Sequence, residues 1–233
     1  LEVVRQTFHI MLIGAAATLQ ITVISVAIGC MLGLVVGLSR LSKMRFLRLA
    51  ATAYVDFFRG TPLLVQIFLV YYGLPQVLRD LQTYLMDSFN MPQILTQYAL
   101  PVFLAAVISC SLNSAAYIAE IFRAGVQSIE KGQMEAARSL GMTAGQSMRY
   151  VILPQAVKRV IPPLGNEFIA MLKDTSLLSV IGFEELSRKG QLIAGQTYVA
   201  FPVWLTVAFL YLVMTFTFSR LVDYLERRLK TGD

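Results

Sequence analysis

The chain has 233 residues, of which 56% are hydrophobic and 15% charged; the mean hydropathy is +0.64 and the formal net charge +6. That balance excludes an ordinary soluble domain and a disordered chain, and it points to a protein built within a lipid bilayer. Only two cysteines are present, Cys30 and Cys110, both in apolar runs, which excludes a disulfide-stapled scaffold.

Four stretches, 6–39, 60–78, 88–119 and 190–219, contain no Asp, Glu, Lys or Arg. A helix needs about 20 residues to cross about 30 Å of hydrocarbon, so each is long enough. A further apolar stretch, 160–183, is interrupted only by Glu167, Lys173 and Asp174. We therefore expect an all-α polytopic protein: one transmembrane domain over 1–233, with spans at 11–38, 49–73, 100–124, 161–182 and 199–222. Nothing alternates as the strands of a membrane barrel would. The first apolar run is too long for a signal peptide and lacks a basic leading segment. Because the chain starts at Leu1 rather than Met, a segment upstream is expected.

In the first span, Gly29, Gly33 and Gly37 are spaced by four and predict close helix packing. In the second, Asp56 and Arg59 are expected to pair across one turn and brace a kink marked by Gly60 and Pro62. In the third, Ser109, Asn113, Tyr117 and Glu120 follow helical steps and form one polar stripe, with Glu120 expected to pair with Arg123. In the fourth, Asn166 and Lys173 share one stripe, and Glu167 and Asp174 share its neighbour. Pro162, Pro163 and Gly165 are expected to loosen the start of that helix, and Lys173 to pair with Asp174. Ionisable groups within a bilayer are costly and usually face a cavity or a partner. Asn113, Tyr117, Glu120, Glu167, Lys173 and Asp174 are thus candidate contacts for a polar solute. The three assumed pairings leave Glu167 over, and an uncompensated carboxylate favours a cationic solute.

The loops carry the orientation. Arg40, Lys43, Arg45 and Arg48 follow the first span; Arg123, Lys131, Arg138, Arg149, Lys158 and Arg159 surround the loop at 125–160; Arg220, Arg227, Arg228 and Lys230 lie in the tail. These are 14 of the 20 basic residues, all on one side of the expected topology. By the positive-inside rule that side is cytoplasmic, with the N-terminus outside and the C-terminus inside. The basic balance is then a topology signal and not a nucleic-acid footprint.

No enzymatic centre is expected. The chain has no Gly-Lys dipeptide and therefore no phosphate-cradling loop of the Walker kind. Its one histidine, His9, stands without a metal or nucleophile pattern, and a catalytic aspartate pair of Asp56 and Asp174 is disfavoured by Arg59 beside Asp56.

The 125–160 loop is polar and helical in pattern. Glu135-Ala136-Ala137, then Gly141, Val151 and Leu153-Pro154, reproduce the spacing of the cytoplasmic "EAA" loop of bacterial ATP-binding-cassette importer permeases. "YVDFFRGTPLLVQIFLVYYGLP" (54–75), "NSAAYIAEIFRAGVQSIEKGQMEAA" (113–137) and "LPQAVKRVIPPLGNEFIAMLKDTSLLSVIGFEEL" (153–186) extend the resemblance to the polar amino-acid permeases, over nearly the whole chain. The resemblance implies a type I importer permease in the bacterial cytoplasmic (inner) membrane. It also implies two cytoplasmic ATPase subunits, a second permease subunit (identical or similar) and an extracytoplasmic amino-acid-binding protein, separate or fused upstream. ATP and magnesium would belong to the ATPase partner, with no cofactor or metal in this chain. Glu135, Ala136, Ala137, Gly141, Leu153 and Pro154 would form the coupling element: a helix, a turn at Gly141 where a Cβ would clash, and a second segment stopped by Pro154. The substrate expected is a polar, basic amino acid. Glutamine, glutamate or another polar solute is the alternative within the class; a passive channel, an ion-coupled carrier or a membrane scaffold is the rival outside it.

Overall fold

The computed structural model describes residues 2–94 and 96–230, and among these there is no β-strand. Ten α-helices follow in order: α1 (Glu2–Arg40), α2 (Arg45–Gly60), α3 (Leu63–Phe68), α4 (Leu74–Phe89), α5 (Val102–Gln127), α6 (Lys131–Ser139), α7 (Ala144–Ser147), α8 (Leu153–Asp174), α9 (Leu186–Thr197) and α10 (Ala200–Lys230). Two π-helical segments, Leu69–Gly73 and Met148–Ile152, join α3 to α4 and α7 to α8, and a 3-10 segment, Thr175–Ile181, extends α8.

Both π segments have one cause. Each stops immediately before a Leu-Pro pair, Leu74-Pro75 or Leu153-Pro154. A proline lacks the N–H and its ring crowds the carbonyl four residues back. Widening the preceding turn relieves that crowding: the Leu74 N–H donates to the Leu69 carbonyl and the Leu153 N–H to the Met148 carbonyl, each five residues back.

Three described helices, α1, α5 and 200–228 of α10, are long and apolar enough to cross a bilayer. Arg45–Gly60 and Leu63–Phe89 make a fourth when the pair, bent by 108°, is taken as one span. The kink expected at Gly60 and Pro62 within 49–73 is present, and it turns the chain through more than a right angle. Residues 74–89 are helical and continue α3 through the π segment. The fourth expected span falls on α8 and its 3-10 extension. Pro162 and Pro163 do not loosen the start of that helix, because it begins at Leu153 and runs through both.

The core lies where α1, α3, α5 and α8 meet, around Ile21, Ile67, Ala106, Ile118, Met171 and Leu178. α1 and α5 run parallel and touch backbone to backbone. A Cβ on Gly29, Gly33 or Gly37 would stand 3.0, 2.8 and 3.0 Å from Ser114, Ala115 and Ala119, so the glycine ladder is an interface. A second cluster, including Met11, Leu172, Leu186, Val203 and Val207, holds α9 and α10 against the N-terminal half of α1.

Glu185 locks that corner. It is fully buried; its carboxylate accepts from the Ser187 and Arg188 backbone N–H groups at the start of α9 (both 2.7 Å) and from the Tyr211 hydroxyl of α10 (2.8 Å). Burial pushes this carboxyl above the ordinary carboxylate range, against the opposing pull of those donors. Glu184 beside it is exposed, and the Lys189 ammonium holds its carboxyl below the usual range.

Candidate functional site: coupling element and polar span residues

Gly141 ends α6 with φ +85°. The Gly141 N–H donates to the Arg138 carbonyl (3.0 Å) and the Met142 N–H to the Ala137 carbonyl (3.2 Å), the paired bonds of a Schellman turn. Thr143 then caps α7 with a reciprocal box: its hydroxyl accepts from the Gln146 N–H, and its own N–H donates to Gln146 Oε1 (2.8 Å). A Cβ on Gly141 would meet nothing within 4 Å. The expectation of a clash is corrected: glycine is needed for its positive φ and not for space.

Pro154 does not stop the second segment. α7, the π turn and α8 form one continuous helical rod over 144–174, with Pro154 in its interior at the start of α8. Ile129, Ile152 and Ala156 form a small cluster, with Met134 and Met148 against it, that seats α6 on this rod. Ala137 is buried in the hairpin, whereas Glu135, Ala136, Gly141, Leu153 and Pro154 are exposed. Leu140, at the tip of the turn, is 85% exposed, an apolar knob that the motif spacing does not single out.

The candidate solute contacts separate into distinct environments. Asn113 is buried, and its Nδ2 donates to Gln66 Oε1 (2.9 Å). Gln66 Nε2 donates in turn to the Phe58 carbonyl (2.8 Å) and to the Thr61 carbonyl and hydroxyl (3.0 Å each). The pair thus caps the broken end of α2, whose last carbonyls have no helical donor. Asp56 and Arg59 do not brace the kink: Asp56 is exposed and has no ion pair among the described residues, and Arg59 points instead toward Glu120 (3.9 Å) and lies over the Tyr117 ring (5.5 Å). The sequence signal for this brace is Gln66 itself, an amide alone in an otherwise apolar run.

Glu120 pairs with Arg123, as the spacing predicts, and also with Arg40 from the end of α1. Three guanidinium groups thus share one carboxylate where α1, α2 and α5 converge. Tyr117 is partly exposed beside them. Glu167 sits between α8 and α5 and accepts from the Ser114 hydroxyl (3.0 Å). Lys173 and Asp174 are exposed at the end of α8, and the expected ion pair between them is absent among the described residues. Lys173 lines a separate cavity of about 350 Å³ with Ser176, Ser187, Trp204 and Tyr211. Ser109, the first residue of the polar stripe, closes on its own helix at the Ala105 carbonyl. The stripe on α5 therefore faces the α2–α3 bend more than an open channel.

Known proteins give this arrangement its context. The glutamine transport system permease protein GlnP of Escherichia coli (strain K12) is 41% identical over 93% of this chain and 91% of its own length. The arginine transport system permease protein ArtQ of Bacillus subtilis (strain 168) is 38% identical over 94% of this chain and 92% of its own. A crystal structure described as an amino acid ABC transporter with histidines superposes with a TM-score of 0.83 at 43% identity, covering 96% of this chain and 95% of that one. The MetNI methionine transporter in an inward-facing conformation shares the fold, with a TM-score of 0.71 at 20% identity over 96% of this chain and 98% of that one. The profile described as "Binding-protein-dependent transport system inner membrane component" matches residues 9–231. The chain, an all-helical permease subunit and not itself an enzyme, belongs to that family of inner membrane components.

Proposed function

We propose that this chain is the permease subunit of an ATP-driven importer for a polar amino acid, joined by ATPase and binding-protein partners of the kind its family uses. Five spans would cross the membrane with the N-terminus outside and the C-terminus inside. Two cytoplasmic ATPase subunits, where ATP and magnesium would reside, would serve a pair of permease subunits; the binding protein delivers substrate from outside, separate or fused upstream of Leu1. The observation that carries this reading is the α6–α7 hairpin: a glycine-dependent turn presents Glu135 and Leu140, and its second arm runs unbroken into the helix bearing Glu167 and Asp174. A push on the hairpin is thereby delivered to the polar residues of α8, with the π turn at 148–152 as the point that can give.

We favour a cationic amino acid as the substrate, from the placement of the charges. The arginines converge on Glu120, and among the described residues Asp56, Glu167 and Asp174 have no cationic partner within 4 Å. The Glu120 cluster is locally positive, whereas Glu167 and Asp174 on α8 face Lys173 alone among the span residues described, and a carboxylate in a region of reduced dielectric there favours arginine, lysine or histidine. Glutamine is the second reading, favoured by the names of several relatives.

The test is uptake by vesicles holding the complex, binding protein and ATP. Glu135→Lys, and Gly141→Val, which forces a β-branched residue to positive φ at about 1–3 kcal/mol, should insert normally yet uncouple ATP hydrolysis from substrate. Gly141→Asn, tolerated at positive φ, should keep most activity. Wild-type uptake by both Glu135→Lys and Gly141→Val would refute the coupling role.

A further inference from the structure

A cavity bearing polar groups lies at the other end of α5 from the hairpin. It measures about 700 Å³ and opens between the α3–α4 junction and residues 96–100 before α5, with Tyr71, Tyr72, Gln76, Arg79, Gln97 and Tyr98 on its walls. α5 starts beside it and ends at the hairpin, and 26 residues of helix put about 39 Å between the two.

Its chemistry is specific. Tyr72, Gln76 and Arg79 follow steps of four and three and share one helix face. The π turn adds a second ring on the same side: Tyr71 and Tyr72 form an edge-to-face corner with centroids 4.7 Å apart. Tyr98 and Gln97 close the opposite wall. Arg79 is the one charged residue lining the cavity. Its neighbour Asp80 lies 3.9 Å away with both side chains more than 60% exposed, a contact that holds little of its charge. Tyr71 packs on the main core, so the floor is anchored while the mouth is open. Aromatic faces attract ammonium groups, and a guanidinium matches a carboxylate in two parallel hydrogen bonds. The volume lies within the range of small-molecule sites.

We propose that this cavity is a receiving site for a free zwitterionic amino acid, with Arg79 taking the α-carboxylate and the Tyr71–Tyr72 corner the ammonium group. It would hold substrate after release from the binding protein and before passage to the polar residues of α5 and α8. The inference rests on the importer reading above and places a second, separate site within it.

The experiment uses the permease–ATPase complex in nanodiscs without binding protein, probed with radiolabelled arginine, histidine, glutamine and glutamate. At least one should bind, and Arg79→Gln should weaken that binding about tenfold or more, with Tyr72→Leu weakening it less. The same variants are then tested for attachment of unliganded binding protein and for uptake. Equal binding by wild type and Arg79→Gln, or no binding by wild type, overturns the proposal. Loss of binding-protein attachment with unchanged amino-acid binding overturns it too and makes the cavity a docking surface. If wild-type vesicles import none of the four, the importer reading falls as well; if they import normally and Arg79→Gln changes nothing, only the receiving site falls.

Discussion

Replacing Gln66 by Leu removes the brace of the 108° bend while nearly conserving volume. Gln66 is 1% exposed and makes four hydrogen bonds: to the Phe58 carbonyl, to the Thr61 carbonyl and hydroxyl, and from Asn113. A side-chain hydrogen bond within a membrane protein contributes about 0.6 kcal/mol on average and about 1.7 at most. The carbonyls of Phe58 and Thr61 and the Asn113 amide would lose a partner in a buried setting, at about 1–3 kcal/mol for a group left wholly unsatisfied. We expect Gln66→Leu to cost about 2–4 kcal/mol in total and Asn113→Leu about 1. The double substitution should cost less than the sum by about 0.6–1.7 kcal/mol, because each single change strands the other's amide. Detergent-driven unfolding in bicelles, followed by circular dichroism, measures all three. Additivity within about 0.3 kcal/mol, or a Gln66→Leu cost below about 0.5, would refute the brace. If Asp56 and Arg59 held the kink instead, Asp56→Asn would show the larger loss.

Glu120→Gln leaves Arg40, Arg59 and Arg123 facing one another and should destabilise by about 2–3 kcal/mol, discounted for partial exposure; adding Arg40→Gln should recover part of that, and a thermal unfolding scan reads both. Glu185→Ala loses a helix cap and one of the two partners of the Tyr211 hydroxyl, which keeps the Ser187 hydroxyl at 3.1 Å, together about 1–3 kcal/mol. Because burial raises the Glu185 carboxyl, the folded chain holds its proton at pH values where the unfolded chain has released it. Its contribution is therefore greatest below the ordinary carboxylate range and is lost as pH rises through the raised value. Glu185→Gln should flatten that slope of stability against pH, and an unchanged slope would assign it to another group. For orientation, Ser88→Cys should react with an impermeant thiol reagent on cells whose outer barrier is opened, and Gly145→Cys should not; the reverse pattern would invert the topology.

Much of this protein is decided along the chain. Long charge-free runs can satisfy their backbone in lipid only as helices, and the basic residues cluster at particular loops. The turn of the α6–α7 hairpin is written locally too: Gly141 supplies the positive φ, and Thr143 with Gln146 supplies the cap, each acting over a few bonds. Leu-Pro after a helical run likewise carries its own cause for the two π turns. What tertiary structure alone decided is pairing between charges and amides. Asp56 and Arg59 are three apart on one helix, and so are Glu120 and Arg123, yet only the second pair forms, because α5 packs against α2 and offers Arg59 the Glu120 carboxylate and the Tyr117 ring instead. Gln66 and Asn113, 47 positions apart, meet because α3 and α5 pack together, and no helical period links them. Electrostatic and hydrogen-bond partners are chosen by proximity in space, and helical spacing brings two groups within reach without excluding a competing partner on a neighbouring helix.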